Sequence, residues 1–401
     1  MTVKHVNKLS ENPCPICDSK QFIMFFEMLD VPVHCNILWP SRDAARNCPI
    51  GDIKLAFCPV CSFVTNLAFE PARLEYTQAY ENPLHFSPLF RYYARSLAER
   101  LIERYDLHKK DIIEIGCGNG YFLTLLCEIG NNRGVGFDPT YVKRARAQSE
   151  AKNRVKFIQD FYSERHGNYQ GDLIVCRQTL EHIQNPKDFL NILRQAIGNR
   201  LDTHIFFEVP NALQTFRKLF VWDIIYEHCS YFTPISLSLT FSSCGFRVCE
   251  LAEGFEGQFL CIYALPSDQD VSDSDYEQPA EVNRIASDIA TFAANYQSKV
   301  ETWRHRLKEM ESRGQRAVVW GAGSKGVTFL NKFKNSQVEY VVDINPHKQG
   351  MHIPGTGQQI VPPKFLQDYH PDVIIVMNPI YMREIQQLTE RFGLDTEFMS
   401  A

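Results

Sequence analysis

The chain's 401 residues are 44% hydrophobic and 22% charged, the composition of an ordinary globular protein of two or three domains. A net charge of −5 without any basic block argues against nucleic acid or an anionic membrane surface as a partner. No apolar run reaches the roughly 18 residues of a spanning helix, "MTVKHVNKLSENP" lacks the apolar core of a signal peptide, and thirteen cysteines, several in apolar segments, fit a reducing cytoplasm.

Residues 1 to about 70 read as strand-poor and proline-broken, and they hold six of the thirteen cysteines. "PLFRYYARSLAERLIER" (88–104) has helical spacing and leads into a strand at Ile112–Ile115. Strand and helix patterns then alternate to about Ala264, as in a doubly wound sheet. The acidic, turn-rich "LPSDQDVSDSDYEQPAE" (265–281) reads as a linker. After it, Ile285, Ile289, Phe292, Tyr296, Val300, Trp303, Leu307 and Met310 recur at steps of three and four. That spacing predicts a long amphipathic helix packed onto its own chain. A second alternating block runs from Ala317 to about Phe392. The expected fold is α/β in three parts, with boundaries at 1–72, 73–265 and 266–401.

"CPIC" (Cys14, Cys17) and "CPVC" (Cys58, Cys61) each place two thiols one tight turn apart. Two such turns suit a closed, tetrahedral four-thiolate zinc site of structural type. A redox dithiol would show one such pair opening a helix after a strand. His34, Cys35 and Cys48 lie between the pairs, and the last two read as core thiols.

"IIEIGCGNGYF" sets Gly116, Gly118 and Gly120 directly after a strand and before a helix. The dinucleotide fingerprint needs its third glycine one residue later, where Tyr121 stands. The spacing is similar to the S-adenosylmethionine loop of class I methyltransferases, where bare backbone lets the ligand approach. Asp138, ending the next strand in "GVGFDPT", is placed for the ribose hydroxyls, and Asp160 in "FIQDFY" for the adenine amino group. "DLIVCRQTLEHI" brings Arg177 and His182 toward the methyl donor. A second loop, "VVWGAGSKGVTFLN" (318–331), completes Gly-x-Gly-x-x-Gly through Gly321, Gly323 and Gly326, with Asp343 closing the next strand. Bound NAD, an anionic substrate group and a purely structural loop all remain open for it. Ser324 and Lys325 sit inside this loop, and Lys325 suits a single anion as a point charge.

Three further stretches, "FFEVPN" (206–211), "YEHCSYFTP" (226–234) and "VVDINPHKQGMHIPGT" (341–356), complete a resemblance that runs through nearly the whole chain. The sequence resembles the three-domain C-methyltransferases that act on nucleotide-linked 4-keto-deoxysugars. The resemblance implies a small zinc-binding N-terminal domain, a class I methyltransferase Rossmann-like domain and a second Rossmann-like C-terminal domain. The last of these would close over the active site and help hold the substrate through Gly323, Ser324 and Lys325. The family reads Tyr-His-Glu-His where this chain has Ile225, Tyr226, Glu227 and His228, and "GTGQQIVPP" (355–363) lacks the histidine usual after "PGT".

Methylating carbon beside a carbonyl requires removal of a proton, and a histidine supplies a base near neutral pKa without large tuning. His228 is the candidate base, Glu227 its orienting partner, and Tyr226 or Tyr231 donors to the enolate oxygen, with Tyr80 a further candidate. The expected partners are a small-molecule substrate, S-adenosylmethionine and structural zinc, in a monomer or weak homo-oligomer. Methylation of oxygen or nitrogen in another small metabolite, and a non-catalytic scaffold, are the alternatives.

Overall fold

The computed structural model describes residues 7–9, 13–74, 79–142, 151–268 and 279–401. The first unit is an antiparallel sheet of β1 (Asn7–Leu9), β2 (Gln21–Pro32), β3 (Ile50–Phe57) and β4 (Val64–Asn66), with a short helix α1 (Arg42–Arg46) between β2 and β3. The strand-poor expectation for this region therefore fails. Two bulges in the β2–β3 ladder break the alternation that would have marked "QFIMFFEMLDVP" as a strand.

The second unit opens with α2 (Pro88–Tyr105), whose N-cap Ser87 accepts from the Phe90 N–H and whose first residue is proline. In chain order there follow β5 (Asp111–Ile115), α3 (Tyr121–Ile129), β6 (Arg133–Phe137), β7 (Val155–Ile158), β8 (Leu173–Arg177), α4 (Pro186–Ile197), β9 (His204–Pro210) and α5 (Ala212–Arg217). The unit ends with β10 (Ser230–Tyr231), α6 (Pro234–Ser242), β11 (Phe246–Gly254) and β12 (Phe259–Pro266). The sheet order is β11-β12-β9-β8-β5-β6-β7, with β12 antiparallel to both neighbours and the rest parallel. Near-continuous apolar runs such as "DIIEI" and "LIVCR" follow from burial of a parallel sheet on both faces. This order and its single reversed strand define the class I methyltransferase fold.

The two residues of β10 do not join that sheet. They pair with β4 and complete the first sheet as its edge strand, Ser230 opposite Thr65 and Tyr231 opposite Val64. The chain between residues 225 and 231 thus runs from the methyltransferase core into the N-terminal unit.

The linker expected at 265–281 is partly the end of β12 and partly the start of the next helix, and residues 269–278 lie outside the described residues. α7 (Pro279–Ser312) carries the expected stripe, burying Ile285, Ile289, Phe292, Val300, Trp303 and Met310. It packs on its own chain: Phe26 of β2 meets Phe292 at 5.8 Å, and Trp303 meets Phe329 at 5.2 Å. The last unit comprises β13 (Ala317–Trp320), α8 (Ser324–Lys332), β14 (Tyr340–Val342), β15 (Gln359–Val361), α9 (Leu366–Tyr369), β16 (Val373–Val376), α10 (Met382–Glu390) and β17 (Glu397–Ser400). Its five strands are all parallel in the order β15-β14-β13-β16-β17, a second Rossmann-like sheet. Among the described residues, no helix is long and apolar enough to cross a membrane.

Candidate active site

Gly116, Gly118 and Gly120 all sit in the left-handed region, with φ of +70°, +52° and +74°, so the turn from β5 into α3 is closed to ordinary side chains. A Cβ on Gly116 would strike Thr179 and one on Gly120 would strike Phe157, whereas one on Gly118 meets nothing within 4 Å. The loop is therefore packed from behind and bare at its crest, where a ligand's atoms would lie. Asp138 follows β6 and is fixed by this loop. Its Oδ2 accepts from the Gly118 N–H at 2.7 Å, and its Oδ1 from the Thr140 N–H and hydroxyl at 2.8 and 2.6 Å. Three of the carboxylate's roughly four acceptor positions are thus filled, and Oδ2 retains one for a ribose hydroxyl.

Asp160 follows β7 and is already engaged by the Phe161 N–H at 2.9 Å, by His166 at 3.1 Å and by Arg165 at 3.1 Å. The His166 hydrogen bond comes first among the causes that hold its carboxyl below the usual range. Arg177 is not among the residues that line the cavity described below. Its guanidinium bonds Glu208 through two nitrogens at 2.8 and 3.1 Å and lies 4.3 Å over the Phe122 ring, a buried ion pair inside the sheet.

A cavity of about 310 Å³ lies where the three units meet. Its methyltransferase wall includes Gln178, Glu181, His182, His228 and Tyr231; its opposite wall includes Gly321, Gly323, Ser324 and Lys325 of the second glycine loop. Tyr80 and Asn36 close one side, and Tyr80 meets the His34 ring edge-on at 6.4 Å. His182 and His228 stand nearly perpendicular, 83°, with centroids 4.9 Å apart. Burial, reinforced by His182 and Lys325, pushes His228 well below the ordinary histidine value, so its imidazole is neutral at pH 7. Burial likewise lowers His182, and it raises the Glu181 carboxyl to about 8. Tyr231 keeps its hydroxyl on the Ile225 backbone, 3.2 Å from both N and O.

Two residues expected beside His228 face the other way. Glu227 is fully buried and bonds the Cys35 N–H at 3.0 Å and His34 Nδ1 at 3.4 Å, so its carboxylate does not orient His228. Tyr226 packs against Phe69 and Gly51 and accepts from the Glu70 N–H at 2.9 Å, away from the cavity. The chain turns at Tyr226 and Glu227, which carries these two side chains away while Ile225 and His228 on either side line the cavity. Lys325 pairs with Asp223 and lies 5.3 Å over the Phe220 ring, with both charged groups on the cavity wall.

Sequence reasoning missed Glu181, although "TLEHI" displays it beside His182. It also missed Lys348, whose buried ammonium donates to Asn36 Oδ1 at 3.1 Å and to the Ala322 carbonyl at 3.0 Å. Nothing in the sequence links Lys348 to Asn36, 312 residues earlier.

The four paired cysteines converge. Cys14 and Cys61 sulfurs lie 3.6 Å apart, Cys17 and Cys58 3.5 Å, and all four lie within 4.8 Å of one another. The two turns repeat one geometry: Asp18 and Ser62, each with φ of 60°, donate to the carbonyls of Cys14 and Cys58. Zinc–sulfur bonds of about 2.3 Å set tetrahedral sulfur separations near 3.8 Å, so the cluster fits one zinc ion.

A methyltransferase domain family matches residues 87–251, and a C-methyltransferase C-terminal domain family matches residues 269–399. "C-methyltransferase NovU" of Streptomyces niveus is 25% identical over 93% of this chain and 90% of its own length. "Ubiquinone biosynthesis O-methyltransferase" of Rickettsia canadensis (strain McKiel) is 26% identical over 32% of this chain, which spans only 54% of that relative. Among solved structures, magnesium protoporphyrin IX methyltransferase (ChlM) from Synechocystis PCC 6803 aligns with 44% of this chain at 14% identity and a TM-score of 0.35. The last score carries no weight beside the sheet order itself. Fold, glycine loop and domain matches make this chain an S-adenosylmethionine-dependent methyltransferase. With both domains matched in tandem and the likeness to NovU running along 93% of the chain, the activity is that of a C-methyltransferase.

Proposed function

We propose that the enzyme methylates carbon next to the carbonyl of a nucleotide-linked keto-deoxysugar. The observation that carries this reading is a neutral His228 on the wall of a cavity bounded opposite by the second glycine loop. S-adenosylmethionine, when bound, supplies an electrophilic methyl group on sulfur. Gly116, Gly118 and Gly120 give its backbone cradle, Asp138 its ribose contact and Asp160 the adenine edge. His228 accepts the proton from the substrate carbon, leaving an enolate. That carbon would then accept the methyl group the bound donor supplies, and the His228 imidazolium would release its proton. His182 and Tyr80 border the same space, and Tyr231 lies beside the base. The start of α8 with Ser324 and Lys325 would hold a phosphate of the nucleotide, since helix N-termini favour anions. Cys14, Cys17, Cys58 and Cys61 would hold a structural zinc, and the units 1–72, 73–265 and 266–401 would act together in the cytoplasm.

Mass spectrometry after incubation with isotopically labelled S-adenosylmethionine and a panel of nucleotide-linked keto sugars tests the substrate class. In heavy water with S-adenosylhomocysteine, the wild type should exchange the acidic hydrogen without methylation. His228→Ala should lose exchange and turnover by about 10²–10⁴-fold while still binding the methyl donor; full activity would overturn the assignment. Because the base works unprotonated and its value lies below the ordinary 6.5, kcat should be flat near neutrality. It should fall only in more acidic buffer, measured with a chelator present.

A further inference from the structure

Glu181, His182 and His228 bring three ligand atoms within 4.8 Å of one another, well apart in sequence from the cysteine cluster. A metal bound through a ring nitrogen at about 2.0–2.1 Å lies roughly 3.2 Å from the ring centre, so two imidazoles sharing a tetrahedral ion come about 5 Å apart. The observed separation is 4.9 Å, with the rings crossed. The Glu227 backbone hydrogen-bonds the His182 ring. Metal-ligating histidines are commonly oriented this way, by a hydrogen bond from the ring to a backbone carbonyl. Glu181 is 2% exposed, and its Oε2 has no hydrogen-bond partner. A buried carboxyl oxygen left open beside two imidazoles is an unmet requirement that a cation would satisfy.

We propose that Glu181, His182 and His228 form a second divalent-cation site, opening on the cavity and suited to a borderline ion such as zinc or cobalt. Two imidazoles and one carboxylate favour those ions over magnesium, which prefers an all-oxygen octahedron. Three protein ligands leave a fourth position facing the cavity. The functional consequence rests on the reading of His228 as the base: a lone pair committed to a metal cannot accept a proton. Cation binding and turnover therefore exclude each other, and the site acts as a metal-sensitive off switch.

The test titrates protein already carrying zinc at its cysteines with cobalt(II), followed by visible absorption. One further equivalent should bind, giving ligand-field bands without thiolate charge transfer. Methyl transfer should fall in step with occupancy and return with a chelator. Glu181→Gln and His182→Gln should each weaken this binding by about tenfold or more, while metal analysis still returns the cysteine-bound zinc, which reports an intact fold. Absence of the extra equivalent, its survival in both variants, or full turnover at saturating cobalt would each overturn the proposal. The titration needs no substrate, so it stays readable even if His228→Ala shows that the base lies elsewhere.

Discussion

The two glycine loops share a frame and differ in what fills it. In each, a loop N–H bonds the carboxylate that ends the next strand: Gly118 to Asp138 at 2.7 Å, and Ala322 to Asp343 at 2.8 Å. In each, a second amide two residues beyond the acid donates to its other oxygen, from Thr140 and from Asn345. The first loop needs left-handed backbone at all three glycines, the second only at Gly321, with φ of +115°. Gly326 is required for another reason, because a Cβ there would lie 2.0 Å from the Gly321 carbonyl and push α8 off β13. The first loop carries no cation, while the second carries Lys325 on the cavity wall. The backbone frame is shared; the residues between the glycines differ in charge. On the function proposed above, the first loop would take the neutral ribose and the second a phosphate.

Substitutions can break this comparison at graded cost. Gly120→Ala should do most damage. It places a side chain at positive φ, about 1–2 kcal/mol, and drives Cβ into Phe157, a further ~1–3 kcal/mol of overpacking. Thermal melting and loss of methyl-donor binding read this effect, and a wild-type melting curve would refute the packing account. Asp138→Ala should lower S-adenosylmethionine affinity at least about tenfold, from charge-assisted bonds worth ~1.5–3 kcal/mol each. Calorimetric titration measures it, and an unchanged affinity would move the ribose contact elsewhere. Lys325→Ala should raise KM for the nucleotide-linked substrate several-fold, up to about tenfold for one such bond, and leave methyl-donor affinity alone. A rise in the dissociation constant for S-adenosylmethionine would mean that the two loops do not divide the ligands. Gly323→Ala should be the mildest, within ~0.5 kcal/mol in stability, since a Cβ there meets nothing within 4 Å and φ is −94°. Its effect should surface only in substrate affinity.

What could be read from the sequence was local, and what could not depended on distant partners. Glycine spacing after a strand, paired cysteines and a helical stripe are written in consecutive residues, and each formed where expected. The side from which residues 225–228 are used was not legible, because it depends on β10 pairing with β4. That pairing sends Glu227 to Cys35 and Tyr226 to Glu70 and leaves Ile225 and His228 on the cavity. Arg177 likewise read as a ligand-facing residue until Glu208, on the neighbouring strand, claimed it. The long strands of the first unit were hidden because bulges scramble their alternation and α7 covers residues that would otherwise read as exposed.

The pairing of β4 with β10 also governs how the chain can be made. The Thr65 hydroxyl bonds the Cys229 carbonyl across 164 residues of sequence. At a synthesis rate of about 5–20 residues per second, the β4 edge emerges on the order of ten seconds before its partner strand. During that interval a nascent chain presents an open row of backbone donors and acceptors beside the cysteine turn at 58–61, the kind of edge that recruits a wrong strand. Slow, uninterrupted emergence of residues 67–229 is thus a period of exposure for this protein, and chaperone capture would act during it.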